Sequence, residues 1–126
     1  MSWRLYRPRP ISAYEARIIR RLLQVGASAP ASDALLASVD HLVVREEGDG
    51  GAENDSLEFE VKTTPGAVIA HGLGVMTNDS QVELLLWARD DVITQLELEP
   101  FAGARLPTRM PILETIGAYP EDGHLL

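Results

Sequence analysis

The chain contains no cysteine, and that absence removes disulfide frameworks, thiolate zinc sites, iron–sulfur clusters and a cysteine nucleophile together. Whatever chemistry the protein carries uses oxygen and imidazole groups. Long apolar runs are missing as well. No stretch approaches the roughly 20 apolar residues that span a bilayer, and Met1-Ser2-Trp3-Arg4 lacks the apolar core of a secretory signal, so the cytoplasm is the expected compartment. The three histidines, His41, His71 and His124, do not have the one-turn spacing of a helical metal pair. No serine lies in a Gly-x-Ser-x-Gly elbow. Gly48 to Gly51 are followed by neither Lys-Ser/Thr nor a helix start, so a phosphate cradle is not expected there. Internal repeats, heptads and low-complexity tracts are likewise lacking.

What is present is ordinary globular composition, 45% apolar and 24% charged over 126 residues, enough to close one hydrophobic core as a single domain, 1–126. The formal charge of −8 is unevenly placed. Residues 1–21 carry six arginines against Glu15, a net of +5, which leaves −13 for the remainder. Such a body repels nucleic acid and anionic membranes and steers a basic partner, an effect that fades with salt, or it serves only to keep the chain in solution.

Local signals then set out the elements. Ser12 and Glu15 form a capping box that opens a helix, with Tyr14, Ile18, Ile19, Leu22 and Leu23 as its apolar stripe, Arg17, Arg20, Arg21 and Gln24 off it, and Gly26 at its stop. Ser32 or Asp33 can cap a two-turn helix presenting Leu35, Leu36 and Val39. His41 to Arg45 reads as a first strand, followed by an acidic, glycine-rich loop over 46–56. Leu57 to Lys62 alternates as a half-buried strand, and Ala67 to Met76 as another, in which Gly72 and Gly74 point to a bulge or a close backbone approach. Asn78-Asp79-Ser80 is a turn. Val82 to Trp87 and Val92 to Glu99, separated by Ala88-Arg89-Asp90-Asp91, make an antiparallel hairpin with Asp90 and Asp91 in its turn. Prolines and glycines leave the tail, 100–126, irregular, with Ile112 to Ile116 as one helical turn or an edge strand. The fold class expected is α+β, the two helices packed on one face of a mostly antiparallel sheet of about five strands.

Candidate sites are few. His41 and His71, if the fold brings them together with a carboxylate, could perform acid–base chemistry. Asp49 to Ser56 offers oxygen ligands on a flexible backbone but lacks the spacing and closing glutamate of a calcium loop. Asp90-Asp91 and Glu97/Glu99 are paired carboxylates explained by a turn and by a wet strand face. Glu58 and Glu60 project from the solvent face of one strand, Glu97 and Glu99 from that of another. If these strands are neighbours they merge into one acidic surface, with Glu53 and Asp55 in the loop at its edge and Asp90 and Asp91 also available. Leu85 and Trp87 lie on the face opposite Leu84 and Leu86, so the hairpin is apolar on both sides and needs either a helix or a second subunit over the second face.

A capped helix after Arg-Pro, a Leu-Leu helix leading into a Val-Val strand, and a hairpin from Val82 to Pro111 carrying Leu96-Glu97-Leu98-Glu99, Phe101, Gly103 and Leu106-Pro107 resemble small bacterial proteins of unknown function. Proteins of this build look like immunity proteins of bacterial toxin systems. Where such proteins have a Gly- and Cys-rich segment, Gly48 to Ser56 has no cysteine, and no metal or redox role is carried over. The acidic body and the absence of catalytic motifs, taken with this resemblance, lead to the expectation of a non-catalytic cytoplasmic binding protein without a cofactor, neutralising a basic toxin-like protein through Glu58, Glu60, Glu97, Glu99, Asp90, Asp91, Glu53 and Asp55. The alternatives are a ligand-binding domain or enzyme using His41 and His71, and a homo-oligomeric module, a homodimer at its simplest.

Overall fold

The computed structural model describes residues 8–47, 56–101 and 110–120. Helix α1 (Ala13–Gly26) starts where local hydrogen bonding dictates. Ser12 Oγ accepts from the Glu15 amide at 3.1 Å, and the Glu15 carboxylate accepts from the Ser12 amide at 2.9 Å. Glu15 is buried, and Arg9 grips its carboxylate with two nitrogens at 2.9 and 2.7 Å. Burial alone would raise the Glu15 pKa. The Arg9 hydrogen bond, the Ser12 amide and the Arg9 charge outweigh it and hold the carboxyl below its ordinary value. Ile18, Ile19, Leu22 and Leu23 of the apolar stripe are buried. Tyr14, at the stripe's edge, is 40% exposed. Its hydroxyl donates to the Pro111 carbonyl at 2.8 Å and accepts from the Leu113 amide at 2.9 Å, which pins the C-terminal part of the described chain to the helix.

Gly26 is needed for a reason other than a left-handed helix stop. The helix ends into Ala27 in an extended conformation, and a Cβ on Gly26 would lie 2.4 Å from the His71 carbonyl oxygen. Helix α2 (Asp33–Ser38) is capped by Ser32, whose Oγ accepts from the Leu35 amide at 3.1 Å, and it runs on into a 3-10 turn, Val39–His41. His41 therefore belongs to that turn, and the strand begins two residues later than its β-branched run implied.

Among the described residues the sheet has seven strands where about five were expected: β1 (Arg9–Pro10), β2 (Val43–Glu47), β3 (Leu57–Phe59), β4 (Ala67–Val75), β5 (Gln81–Arg89), β6 (Val92–Pro100) and β7 (Gly117–Ala118). The order is β1-β2-β3-β6-β5-β4-β7, every pairing antiparallel. The two additional strands are the edges, each two residues long, too short to leave a pattern in the sequence. Such stubs leave little edge for another chain to extend. Within Ile112 to Ile116 the helical-turn reading holds, as a 3-10 turn over Leu113–Thr115, and the edge strand β7 begins only after it, at Gly117.

One face of the sheet carries the core. Leu57, Phe59, Ala70, Val82, Leu84, Leu86, Leu96 and Leu98 are buried on it against α1 and α2. Gly72 and Gly74 give the close approach anticipated for them: a Cβ at Gly72 would meet Leu22 Cδ1 at 2.6 Å and the Gly117 carbonyl oxygen at 2.7 Å. The bulge in β4 falls between Val68 and Ala70 instead.

A second bulge governs the other face. Asp90 and Asp91 both have positive φ, 50° and 65°, as a two-residue type I′ turn requires. Counted outward from that turn, Ile93 would share a face with Gln95, not with Leu96. Thr94 is the extra residue: Ala88 pairs Ile93 and Trp87 pairs Gln95. Thr94 is buried, its Oγ1 donating to the Pro65 carbonyl at 2.7 Å. The slip lets Ile93, Leu96 and Leu98 all point inward and sends Gln95, Glu97 and Glu99 outward. No helix of the described residues is long and apolar enough to cross a membrane.

Candidate partner-binding face

The face of the sheet away from the helices is covered by no helix among the described residues, and its side chains are half-buried or exposed. Register fixes what meets there. One row across β4, β5 and β6 reads His71, Leu85, Glu97; the next reads Leu73, Glu83, Glu99; on the other side Trp87 stands opposite Gln95, which is opposite Glu58 of β3.

Diagonal contacts join these rows. His71 Nε2 lies 2.6 Å from Glu83 Oε2, and the His71 ring stacks on Tyr119 with centroids 4.0 Å apart and planes 11° off parallel. Trp87 Nε1 donates to Glu97 Oε1 at 3.0 Å. The Glu99 pKa is raised to about 7, first by a hydrogen bond with Glu97, then by desolvation and by the charges of Glu97 and Glu83. His71, Glu83, Glu99, Glu97 and Trp87 thus form a chain of polar contacts running round Leu85. The two apolar outward residues of β5, Leu85 and Trp87, are partly sheltered by these neighbours, and no helix of the described residues lies over them.

The structure brings some of the sequence-predicted residues together and separates others. Strands β3 and β6 are neighbours, so Glu58 does join the face of Glu97 and Glu99. Glu60 lies just past the end of β3 and is exposed, its amide donating to the Val43 carbonyl at 2.8 Å. Asp90 and Asp91 sit at the hairpin tip, roughly 20 Å along β6 from Glu97 at ~3.4 Å per residue. Asp91 Oδ1 there accepts from Ser32 Oγ at 2.9 Å, tying the hairpin to the start of α2. Glu53, Asp55, the acidic loop proper and His124 lie outside the described residues. His41 and His71 do not meet. The strand after His41 is four places across the sheet from β4, roughly 19 Å at ~4.8 Å per strand.

Sequence reasoning missed Glu83, His71's place beside it, and Tyr119. A signal for Glu83 was available, since it shares its parity in β5 with Leu85 and Trp87. Pairing it with Glu99 required the Thr94 bulge, and stacking Tyr119 on His71 required the edge strand β7. Chemically, the cluster can hold or release a proton and attract cationic side chains. Among the described residues no group of three or more His, Asp or Glu is placed to hold a metal ion. Comparison of the chain with protein-family models, with curated proteins and with solved structures gives no significant match.

Proposed function

We propose that this is a non-catalytic binding protein of the immunity type, whose open sheet face docks and neutralises a basic, toxin-like protein. The observation that carries the reading is the chain of polar contacts round Leu85. An aliphatic and two aromatic side chains, Leu85, Trp87 and Tyr119, are framed there by Glu58, Glu83, Glu97 and Glu99. A rim of charge around a partly sheltered aromatic and aliphatic centre is how protein interfaces concentrate their binding energy. The carboxylates supply steering and register for lysines and arginines of the partner. A second copy of the chain would bring the same carboxylates against this face, so charge favours a basic partner over self-association through it.

The test is retention of proteins from native lysate on the tagged chain at low and at moderate salt, compared with the Glu97→Lys/Glu99→Lys variant. One basic protein, identified by mass spectrometry, lost as salt rises and absent with the variant, is the expected result. It should also lose its own activity when mixed with the purified chain. Equal retention by wild type and variant, or no retained protein at either salt, overturns the reading. Truncating Trp87 to Ala should cost about 2 kcal/mol of binding if it is the central anchor.

A further inference from the structure

The arginine-rich side of α1 takes no part in the sheet face just described. It lies in the helix layer, where Arg17, Arg20, Arg21 and Gln24, with Leu113 and Glu114 of the 3-10 turn, line an open groove of about 470 Å³. Helical spacing puts Arg17, Arg21 and Gln24 in one row, with Arg20 alongside. Three guanidinium groups held together repel one another, and their charges are only partly met. Arg17 is exposed and finds no acceptor among the described residues. Arg21 Nε donates to the Ile116 carbonyl at 3.2 Å, which anchors the guanidinium beside the turn, and no acceptor among the described residues takes either Nη. Arg20 pairs with Asp40 at 2.8 Å, with side chains 40% and 64% exposed, so solvent screening keeps that pair weak.

We propose that this groove binds the phosphate group of a small phosphate monoester. Three arginines against Glu114 give the lining +2, lowered to +1 by Asp40 paired to Arg20 beside it, a charge opposite in sign to the roughly −1.5 to −2 of such a group at neutral pH. Guanidinium forks suit phosphate oxygens geometrically, and the Gln24 amide adds a neutral donor. The groove volume falls within the roughly 300–1,000 Å³ usual for small-molecule sites. Leu113 offers an apolar wall for the body of the ligand. None of the described lining residues is aromatic, so they offer no platform for a nucleobase, and the acidic body disfavours a nucleic-acid chain. A small phosphorylated aliphatic or sugar-like compound remains.

The experiment follows the arginine Nε–Hε resonances of the full chain by NMR at constant ionic strength, titrating inorganic phosphate, glycerol 3-phosphate or chloride. Saturable shifts of Arg17 and Arg21 with both phosphates, the monoester binding at least as tightly, are expected. Arg17→Glu should weaken binding about tenfold or more, since it removes a charge-assisted donor and adds a repulsion. Arg17 makes no hydrogen bond to the described residues, so this variant should fold normally, and Arg45→Glu on the exposed side of β2 should bind as wild type does. Shifts that chloride reproduces, binding of inorganic phosphate but not the monoester, or unchanged affinity in Arg17→Glu each overturn the proposal. None of these outcomes depends on the basic-partner reading, which concerns the opposite face.

Discussion

Glu83 and Glu99 stand directly opposite each other on adjacent strands of the open face, two like charges in a position where sheets ordinarily avoid them. Each is relieved differently. Glu83 meets His71 at 2.6 Å, and Glu99 is held with Glu97, which in turn accepts from Trp87. Replacing Glu99 by Gln should remove the repulsion and keep the hydrogen-bonding shape.

The Glu99 pKa is raised to about 7, so the folded state binds a proton more readily than the unfolded chain. Stability from this group is therefore fully present below about pH 4.5 and is lost as pH rises through 7. Glu99→Gln should be more stable than wild type at pH 8, by under about 1 kcal/mol because the side chain is exposed, with a smaller advantage at pH 5. Urea denaturation of both proteins at the two pH values checks it.

Glu15 runs the other way. Its pKa is lowered, so its contribution is present above the ordinary carboxylate pKa and is lost as pH falls through the lower folded value. Glu15→Ala removes the carboxylate that Arg9 grips and half of the capping box, which should cost about 2–4 kcal/mol at pH 7. The measurement is the shift in denaturation midpoint at unchanged slope, with the deficit shrinking below pH 4.

Glycines with the same side chain should respond very differently to alanine. Gly26→Ala drives a Cβ onto the His71 carbonyl and should cost about 2 kcal/mol or more, and Gly72→Ala, wedged between Leu22 and the Gly117 carbonyl, about 1–3 kcal/mol. Gly117→Ala, with nothing within 4 Å of the new Cβ, should stay within about 0.5 kcal/mol of wild type. Thermal melts of the three variants order them.

Ser32 serves two elements at once, capping α2 and donating to Asp91 at the hairpin tip. Ser32→Ala should cost about 1 kcal/mol. A double-mutant cycle with Asp91→Ala should show a coupling of roughly 0.5 kcal/mol, and strict additivity would show that the tie between helix and hairpin contributes nothing.

Much of this architecture was legible one element at a time. The Ser12–Glu15 box, the Ser32 cap, the Asp90-Asp91 turn and the outward parity of Glu58, Glu97 and Glu99 depend on residues within a few positions of each other. Local hydrogen bonding and the period of two encode them directly. The α+β class follows from those elements. What only the tertiary structure decided is which elements lie side by side. The order β3-β6-β5-β4, the Thr94 bulge that brings Glu83 opposite Glu99, and the two-residue edges that seat Arg9 on Glu15 and Tyr119 on His71 all join residues distant along the chain. Their geometry is chosen by how the whole core fills, since a short edge strand has too few residues to announce itself and a one-residue slip is settled by which register buries Ile93, Leu96 and Leu98 together.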